Sequence, residues 1–295
     1  MPYITASLDY KNDDSENVLF EVAVQNEPIF FGLWHFAVQL NGLPLQPVGD
    51  WTEICRHRER NCDYLEIDLP LENGYRLQRS VLVSHRDKVM LLADTVLFDG
   101  DDNSIRENNS AKNQQQVRLT QLAYQSELYY SPKLRSKISA DTTEILFRPA
   151  ARQKVAPFRV LPLALPEWSE QSGNGSLSDE NARLVLRQTA AGKNERLSLF
   201  APLFIDLDAE RLGKQYTWRR LTVGENLKRV PDNKAVGFRV QLAQSQFLIY
   251  RSLTQGLSNR TVLGHNLIDD FCFARFSPET GVDPLIEIQS ATESV

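Results

Sequence analysis

The residue whose setting most demands a chemical explanation is Asp94. It lies in Met90-Leu91-Leu92-Ala93-Asp94-Thr95-Val96, a run so apolar that an ionised carboxylate there has to be paired or hydrogen-bonded. Arg79, one strand earlier, is the partner the sequence offers. A structural ion pair is the favoured reading, and a catalytic carboxylate is the alternative. The chain has only four histidines, His35, His57, His85 and His265. None has another within a metal-ligand step, so no metal site is expected. His85 opens the turn His85-Arg86-Asp87-Lys88, and turns are where sites on β-scaffolds tend to sit. His85, Asp94, Arg79 and His265 are therefore the candidates for acid, base or charge-neutralising roles. Arg56-His57-Arg58-Glu59-Arg60 reads first as a solvated charged loop. Its sharper reading is a contact for an anion or acidic sugar, because guanidinium forks match carboxylates. Arg56, His57 and Arg58 join Arg251 and Trp51 as binding candidates. A saccharide site also wants aromatic platforms, and Tyr129, Tyr130, Trp168 and Trp218 supply the types. Any β protein of this size would supply such a set.

The elements that must position these groups are strands. Tyr64 to Leu69 alternates Leu65, Ile67 and Leu69 with Tyr64, Glu66 and Asp68, the pattern of a half-buried strand. Pro70 to Gly74 turns the chain, Tyr75 to Val83 returns, Ser84 to Lys88 turns again, and Val89 to Phe98 is apolar on both faces. That is a meander whose last strand is covered on both sides. The same alternation recurs over Val236 to Leu242, Gln246 to Arg251, Phe271 to Phe276 and Leu285 to Ile288. Further strands are expected over Val117 to Tyr124, Glu144 to Phe147, Arg159 to Leu163, Leu184 to Gln188, Arg196 to Phe200 and Tyr216 to Val223. Helical pattern is confined to a turn or two over Asp206 to Leu212 and one over Pro166 to Gln171. So many strands in one chain must split into stacked sheets to bury their apolar faces. The expectation is an all-β protein, a single large antiparallel β-sandwich over residues 1–295 of the supersandwich kind, with little helix. Residues 99–115 and 171–181 read as mobile loops.

Bulk properties agree with a packed core: 42% of the 295 residues are hydrophobic and 24% charged. A net charge of −5 and the lack of a basic run with interleaved aromatics argue against a nucleic-acid partner. The amino terminus has no signal-peptide pattern, and no apolar run is long enough to span a bilayer, so no membrane partner and a cytoplasmic, soluble protein are expected. Three cysteines, Cys55, Cys62 and Cys272, make no disulfide framework. Glycine-rich phosphate loops, zinc-protease and serine-hydrolase motifs are missing, and no cofactor is expected.

The segment from Arg79 through Val96, an arginine, a turn and a strand carrying Leu91-Leu92-Ala93-Asp94-Thr95-Val96, resembles the β-sandwich part of heparinase II/III-like polysaccharide lyases. More broadly, the chain resembles bacterial all-β proteins in Trp34 with Leu40-Asn41-Gly42, Asp50-Trp51, Tyr64-Leu65-Glu66, Leu77-Gln78-Arg79, Tyr250-Arg251-Ser252-Leu253 and Asn259 to Gly264. The lyases carry an α-helical toroid ahead of the sandwich, which supplies much of their catalytic apparatus. No helical segment of that size is legible here, so the resemblance implies the sandwich without the usual reaction centre, and no catalytic residue carries over.

The expected function is accordingly a non-catalytic β-sandwich protein for binding or assembly, directed toward carbohydrate or another protein. The alternative is a saccharide-active enzyme, either a lyase or a mutarotase-like epimerase, using His, Tyr or carboxylate groups. A concave face gathering two or more of His57, His85, His265, Arg79, Arg251 and Asp94 would favour the enzyme.

Overall fold

The computed structural model describes residues 4–11, 18–99, 119–171, 173–193, 196–254, 259–277, 279 and 281–289. The first third of the chain forms β1 (Ile4–Asp9), β2 (Val18–Val24), the long β3 (Glu27–Leu40), the short β4 (Leu43–Pro44), β5 (Thr52–Arg58), and the meander β6 (Cys62–Leu71), β7 (Tyr75–Ser84) and β8 (Val89–Phe98). The middle third gives β9 (Leu119–Tyr129), β10 (Leu134–Ile138), β11 (Ile145–Pro149), β12 (Phe158–Pro162), β13 (Gly175–Asp179), β14 (Arg183–Lys193) and β15 (Leu199–Asp206). The last third gives β16 (Tyr216–Leu221), the short β17 (Gly224–Glu225) and β18 (Lys228–Arg229), then β19 (Ala235–Leu242) and β20 (Ser245–Ser252). It ends with β21 (Arg260–Val262), β22 (His265–Leu267), β23 (Phe271–Ser277) and β24 (Gly281–Ile288).

These strands build four antiparallel sheets. The first has seven strands, ordered β1-β2-β3-β9-β14-β13 with β4 off β3; the second has eight, β10-β11-β12-β15-β8-β7-β6-β5. The third runs β16-β19-β20-β23-β24 and the fourth, small, β18-β17-β21-β22. Period-two side chains decide how the sheets stack. Ile67, Leu69, Leu77, Val81, Leu92 and Val96 of the second sheet share a core with Phe20, Trp34, Val38 and Leu122 of the first. The alternate residues Tyr64, Leu82, Leu91 and Ala93 share another with Phe238, Phe247 and Phe273 of the third. A third, smaller core joins Leu248, Tyr250 and Cys272 to Val262 and Leu267 of the fourth sheet. The second sheet is thus covered on both faces along β8, which is why that strand is apolar on both sides apart from Asp94 and Thr95. Arg275 of β23 ties the layers together, its Nε and Nη2 donating to the Asp87 carboxylate in the β7–β8 turn at 3.0 and 2.8 Å.

The all-β, layered reading of the sequence holds, and the meander falls where the alternation places it. Local details differ. The charged segment from Arg56 is not a loop at its start: Arg56, His57 and Arg58 end the edge strand β5, where alternating charges face water and no apolar period survives. Residues 171–181, read as a loop, contain β13, a Gly/Ser-rich edge strand paired to β14 from Gly175↔Gln188 to Asp179↔Leu184. Asp206 to Leu212 yields only a 3₁₀ turn at Ala209–Arg211, and Pro166 to Gln171 forms no helix. Of residues 99–115 all but Asp99 lie outside the described residues.

Candidate functional site

A cleft of about 730 Å³ opens where the first three sheets end against one another. Its walls come from Leu163 to Gln171, from β14, from the start of β15 and from β16. Trp168 stands in this cleft with about half of its surface open (52%), although an indole normally seeks cover. Its loop is stapled to the preceding hairpin. The Thr143 amide donates to Glu167 O (3.0 Å) and its hydroxyl to Pro166 O (2.6 Å). The Ser169 amide donates to Asp141 O (2.9 Å) and its hydroxyl to Ala140 O (2.7 Å). The backbone that carries Trp168 is therefore held in place while its side chain is exposed.

Around it are polar groups of three kinds. Gln188, buried at the cleft floor, donates from Nε2 to Phe200 O at 3.1 Å, which fixes the amide orientation and leaves Oε1 without a partner. Arg220 and Asp232 form an ion pair at 2.5 Å, and Glu167 accepts from the Thr217 hydroxyl at 2.5 Å. Arg219 lies exposed at the rim and, among the described residues, meets no carboxylate. Trp218 packs beneath, its Nε1 donating to Leu165 O at 3.2 Å.

The candidates read from the sequence lie elsewhere. Arg79 and Asp94 are opposite one another on β7 and β8. They form a bidentate pair, Nε to Oδ1 at 2.9 Å and Nη2 to Oδ2 at 2.7 Å, with neither side chain reaching solvent. Arg79 Nη1 donates to Trp34 O at 2.8 Å, and its guanidinium lies 4.0 Å from the Trp34 ring and 5.2 Å from the buried Trp51. Tyr124 of the first sheet donates to Asp94 Oδ2 at 2.5 Å; burial, and then the neighbouring carboxylate, push its phenol well above the usual tyrosine range. Trp51 thus joins the pair, but inside a core.

Arg251 is buried in the next interlayer space, with Nη2 2.6 Å from Glu66 Oε1 and also donating to Gln78. His85 contacts Asp63 at 3.0 Å, and Arg58 approaches the same carboxylate at 3.7 Å. Arg56, His57 and Arg58 line a second, smaller cavity of about 220 Å³ beside β1. There Arg56 is held by Glu53, whose carboxyl that guanidinium and the Tyr10 hydroxyl lower to about 2. His265 is in the fourth sheet. None of the nine lines the large cleft.

The cleft residues Gln188, Arg219, Arg220 and Asp232 were not singled out by the sequence, and Trp168 stood only as one aromatic among several. The usable signal was Trp168 itself, flanked by Pro166 and Glu167 in a segment between strands. Among the described residues, no three histidine, cysteine, aspartate or glutamate side chains gather as metal ligands. No helix there is long and apolar enough to cross a membrane.

Fold and cleft together define a layered antiparallel β protein with an aromatic-walled opening at the end of its sheets. No protein-family model matches the sequence, and neither does any curated protein. Some solved structures are distantly similar to this chain. A heparinase III is 12% identical with a TM-score of 0.47, matching 80% of this chain and 36% of its own. A mutant of the heparan sulfate lyase HepC from Pedobacter heparinus is 12% identical with a TM-score of 0.46, matching 81% and 37%. A beta-arabinopyranosidase is 10% identical with a TM-score of 0.41, matching 70% and 38%. The chain thus spans well under half the length of each.

Proposed function

We propose that the protein binds carbohydrate in the cleft walled by Trp168, and that it does so as a binding module. The observation that carries this reading is the exposed indole of Trp168, on a loop whose backbone is tied to the preceding hairpin. One face of a pyranose ring presents only C–H groups, which pack on an aromatic face, while its edge hydroxyls need fixed polar partners. Arg219, which among the described residues meets no carboxylate, offers a donor at the rim, while Gln188 Oε1, unpaired among them, is buried beneath the floor. The volume suits a short stretch of sugar rather than a single small metabolite. The ionic groups nearest the indole are already committed, Arg220 to Asp232 and Glu167 to Thr217.

The test is a titration with neutral and acidic hexasaccharides, followed by tryptophan fluorescence and by ligand-observed NMR. Binding by at least one of them should weaken roughly tenfold or more in Trp168→Ala, a change of about 1.4 kcal/mol. The protein should stay folded, losing about 1–2 kcal/mol of stability for the half of the indole that is covered. Binding indifferent to Trp168→Ala, or none across the panel, would end the reading.

One observation favours a saccharide-active enzyme instead: Glu167 and Asp232 line the same cleft, and paired carboxylates are the commonest machinery for cleaving glycosidic bonds. Turnover of any bound hexasaccharide that disappears in both Glu167→Gln and Asp232→Asn would establish that alternative.

A further inference from the structure

We infer that the free edge of the second sheet, β10 with its neighbour β11, is a docking strip for an acidic, extended protein segment that adds as one more strand. The inference does not depend on the cleft or on what it binds.

Charge is the first observation. Residues 131–157 hold six basic side chains (Lys133, Arg135, Lys137, Arg148, Arg152, Lys154) and two acidic ones (Asp141, Glu144), a surplus of four positive charges. The chain as a whole carries −5, so the remaining residues carry −9. Lys133 is paired with Glu27 at 2.6 Å. Arg135, Lys137, Arg148, Arg152 and Lys154 are all exposed and, among the described residues, have no carboxylate partner.

Register is the second. Leu134, Ile145 and Phe147 point into the core shared with the first sheet, so the alternate residues Arg135, Lys137 and Arg148 share the opposite face. Arg135 and Arg148 are directly opposite one another, an arrangement of like charges that a strand pair ordinarily avoids. The third sheet covers this face at β12, where the Arg159 guanidinium lies 3.5 Å from the Tyr216 ring, and reaches the foot of β11, where the Tyr216 hydroxyl donates to Glu144 at 2.6 Å. Beyond that step, among the described residues, Arg135, Lys137 and Arg148 stand exposed on β10 and β11. The β10–β11 ladder extends by one further pair, Ala150 N donating to Lys133 O at 2.7 Å, and the turn that follows, closed by Gln153 N donating to Ala150 O at 3.1 Å, carries Arg152 and then Lys154 at that end.

The third observation separates a protein segment from other polyanions. β10 is the outermost strand of its sheet, and among the described residues no strand pairs with its outer edge from Arg135 to Ile138, the contact there being the Ser136 hydroxyl donating to the Asp179 carboxylate of β13. Open main-chain amides and carbonyls are a template for an added strand, which a nucleic acid or an acidic polysaccharide cannot use. Cations on an edge also discourage pairing between like copies. That protection accounts for Arg135 and Lys137 but not for Arg148 one strand inside, or for the pair in the following turn. An incoming strand with acidic residues on alternate positions would set them against Arg135 and Lys137 while its backbone completes the ladder.

The test uses the full chain and a blocked dodecapeptide of alternating glutamate and threonine, with dextran sulfate and poly(dT) as comparison polyanions. The peptide should slow amide exchange across 134–138 roughly tenfold or more. The triple variant Arg135→Gln, Lys137→Gln, Arg148→Gln should weaken peptide binding at least fivefold at unchanged thermal midpoint, since all three side chains are exposed, whereas Trp168→Ala should leave it intact. Three outcomes would overturn the inference: no binding of the peptide, binding without slowed exchange along β10, or slowing by all three polyanions alike.

Discussion

Asp94 and Arg79 show how much a single buried charge constrains its surroundings. Each atom of the guanidinium fork that reaches out finds an acceptor, two on Asp94 and one on the Trp34 carbonyl, and the second carboxylate oxygen also receives Tyr124. The cluster pins four strands of two sheets, because Trp34 (β3) and Tyr124 (β9) come from the first sheet and the ion pair (β7 and β8) from the second. Removing one partner strands the other where water does not reach, and such losses run to about 3–5 kcal/mol. Asp94→Ala should therefore lower the unfolding free energy by about that amount in urea denaturation. Replacing both charges, Asp94→Leu with Arg79→Met, should recover most of it, because the cost lies in the orphaned charge rather than in the lost attraction. A single-variant loss below about 1 kcal/mol would show that water enters the space.

At the scale of elements, local sequence wrote down some parts and left out others. The β6–β7–β8 meander was legible because apolar period two and turn chemistry point the same way. That alternation also put Arg79 and Asp94 within one strand of each other, although their exact register came only from the pairing. Edge strands were not legible. β5 faces water with Glu53, Arg56 and Arg58, and β13 is glycine and serine, so neither shows the apolar rhythm of an interior strand. The cleft was the least legible of all. Trp168, Gln188, Trp218 and Asp232 lie far apart in the chain and meet only because three sheets end together, a property of layer order that no local window contains.

Turns offer a sharper case. In the β17–β18 hairpin, Asn226 and Leu227 both have positive φ, 50° and 61°, the pair of conformations that a two-residue turn of this hand requires. Asparagine tolerates this region; leucine does not, and Leu227 is fully exposed (108%), so packing returns nothing for the strain. Leu227→Gly should raise stability by about 0.5–1 kcal/mol, read as a higher urea midpoint at unchanged m-value. A loss instead would mean that the glycine's added freedom in the unfolded chain outweighs the relief.

For the whole molecule, the two-faced second sheet decides how the layers stand or fall. We propose that the chain unfolds as one domain, since peeling off either the first or the third sheet would expose a full apolar face of β6, β7, β8 and β15. Those faces are not independent of each other: every residue of β8 from Val89 to Val96 is buried, alternately on one side and the other. Loss of order in β8 would therefore dissolve both main cores together, and the Arg275–Asp87 contact would go with them. The tryptophans provide a probe for each side, Trp34 and Trp51 in the core with the first sheet and Trp218 in the core with the third. A variant keeping only Trp218 reports one core, and one keeping only Trp34 and Trp51 reports the other, phenylalanine replacing the rest. Within each variant the fluorescence and circular-dichroism transitions should coincide, as a two-state unit requires. The urea m-value should be large, in keeping with the surface released by a chain of this length. If the Trp218 signal is lost at a lower urea concentration than the circular-dichroism signal of the same variant, the third and fourth sheets melt as a separate unit. The interface between the second and third sheets would then be a domain boundary rather than the middle of one core.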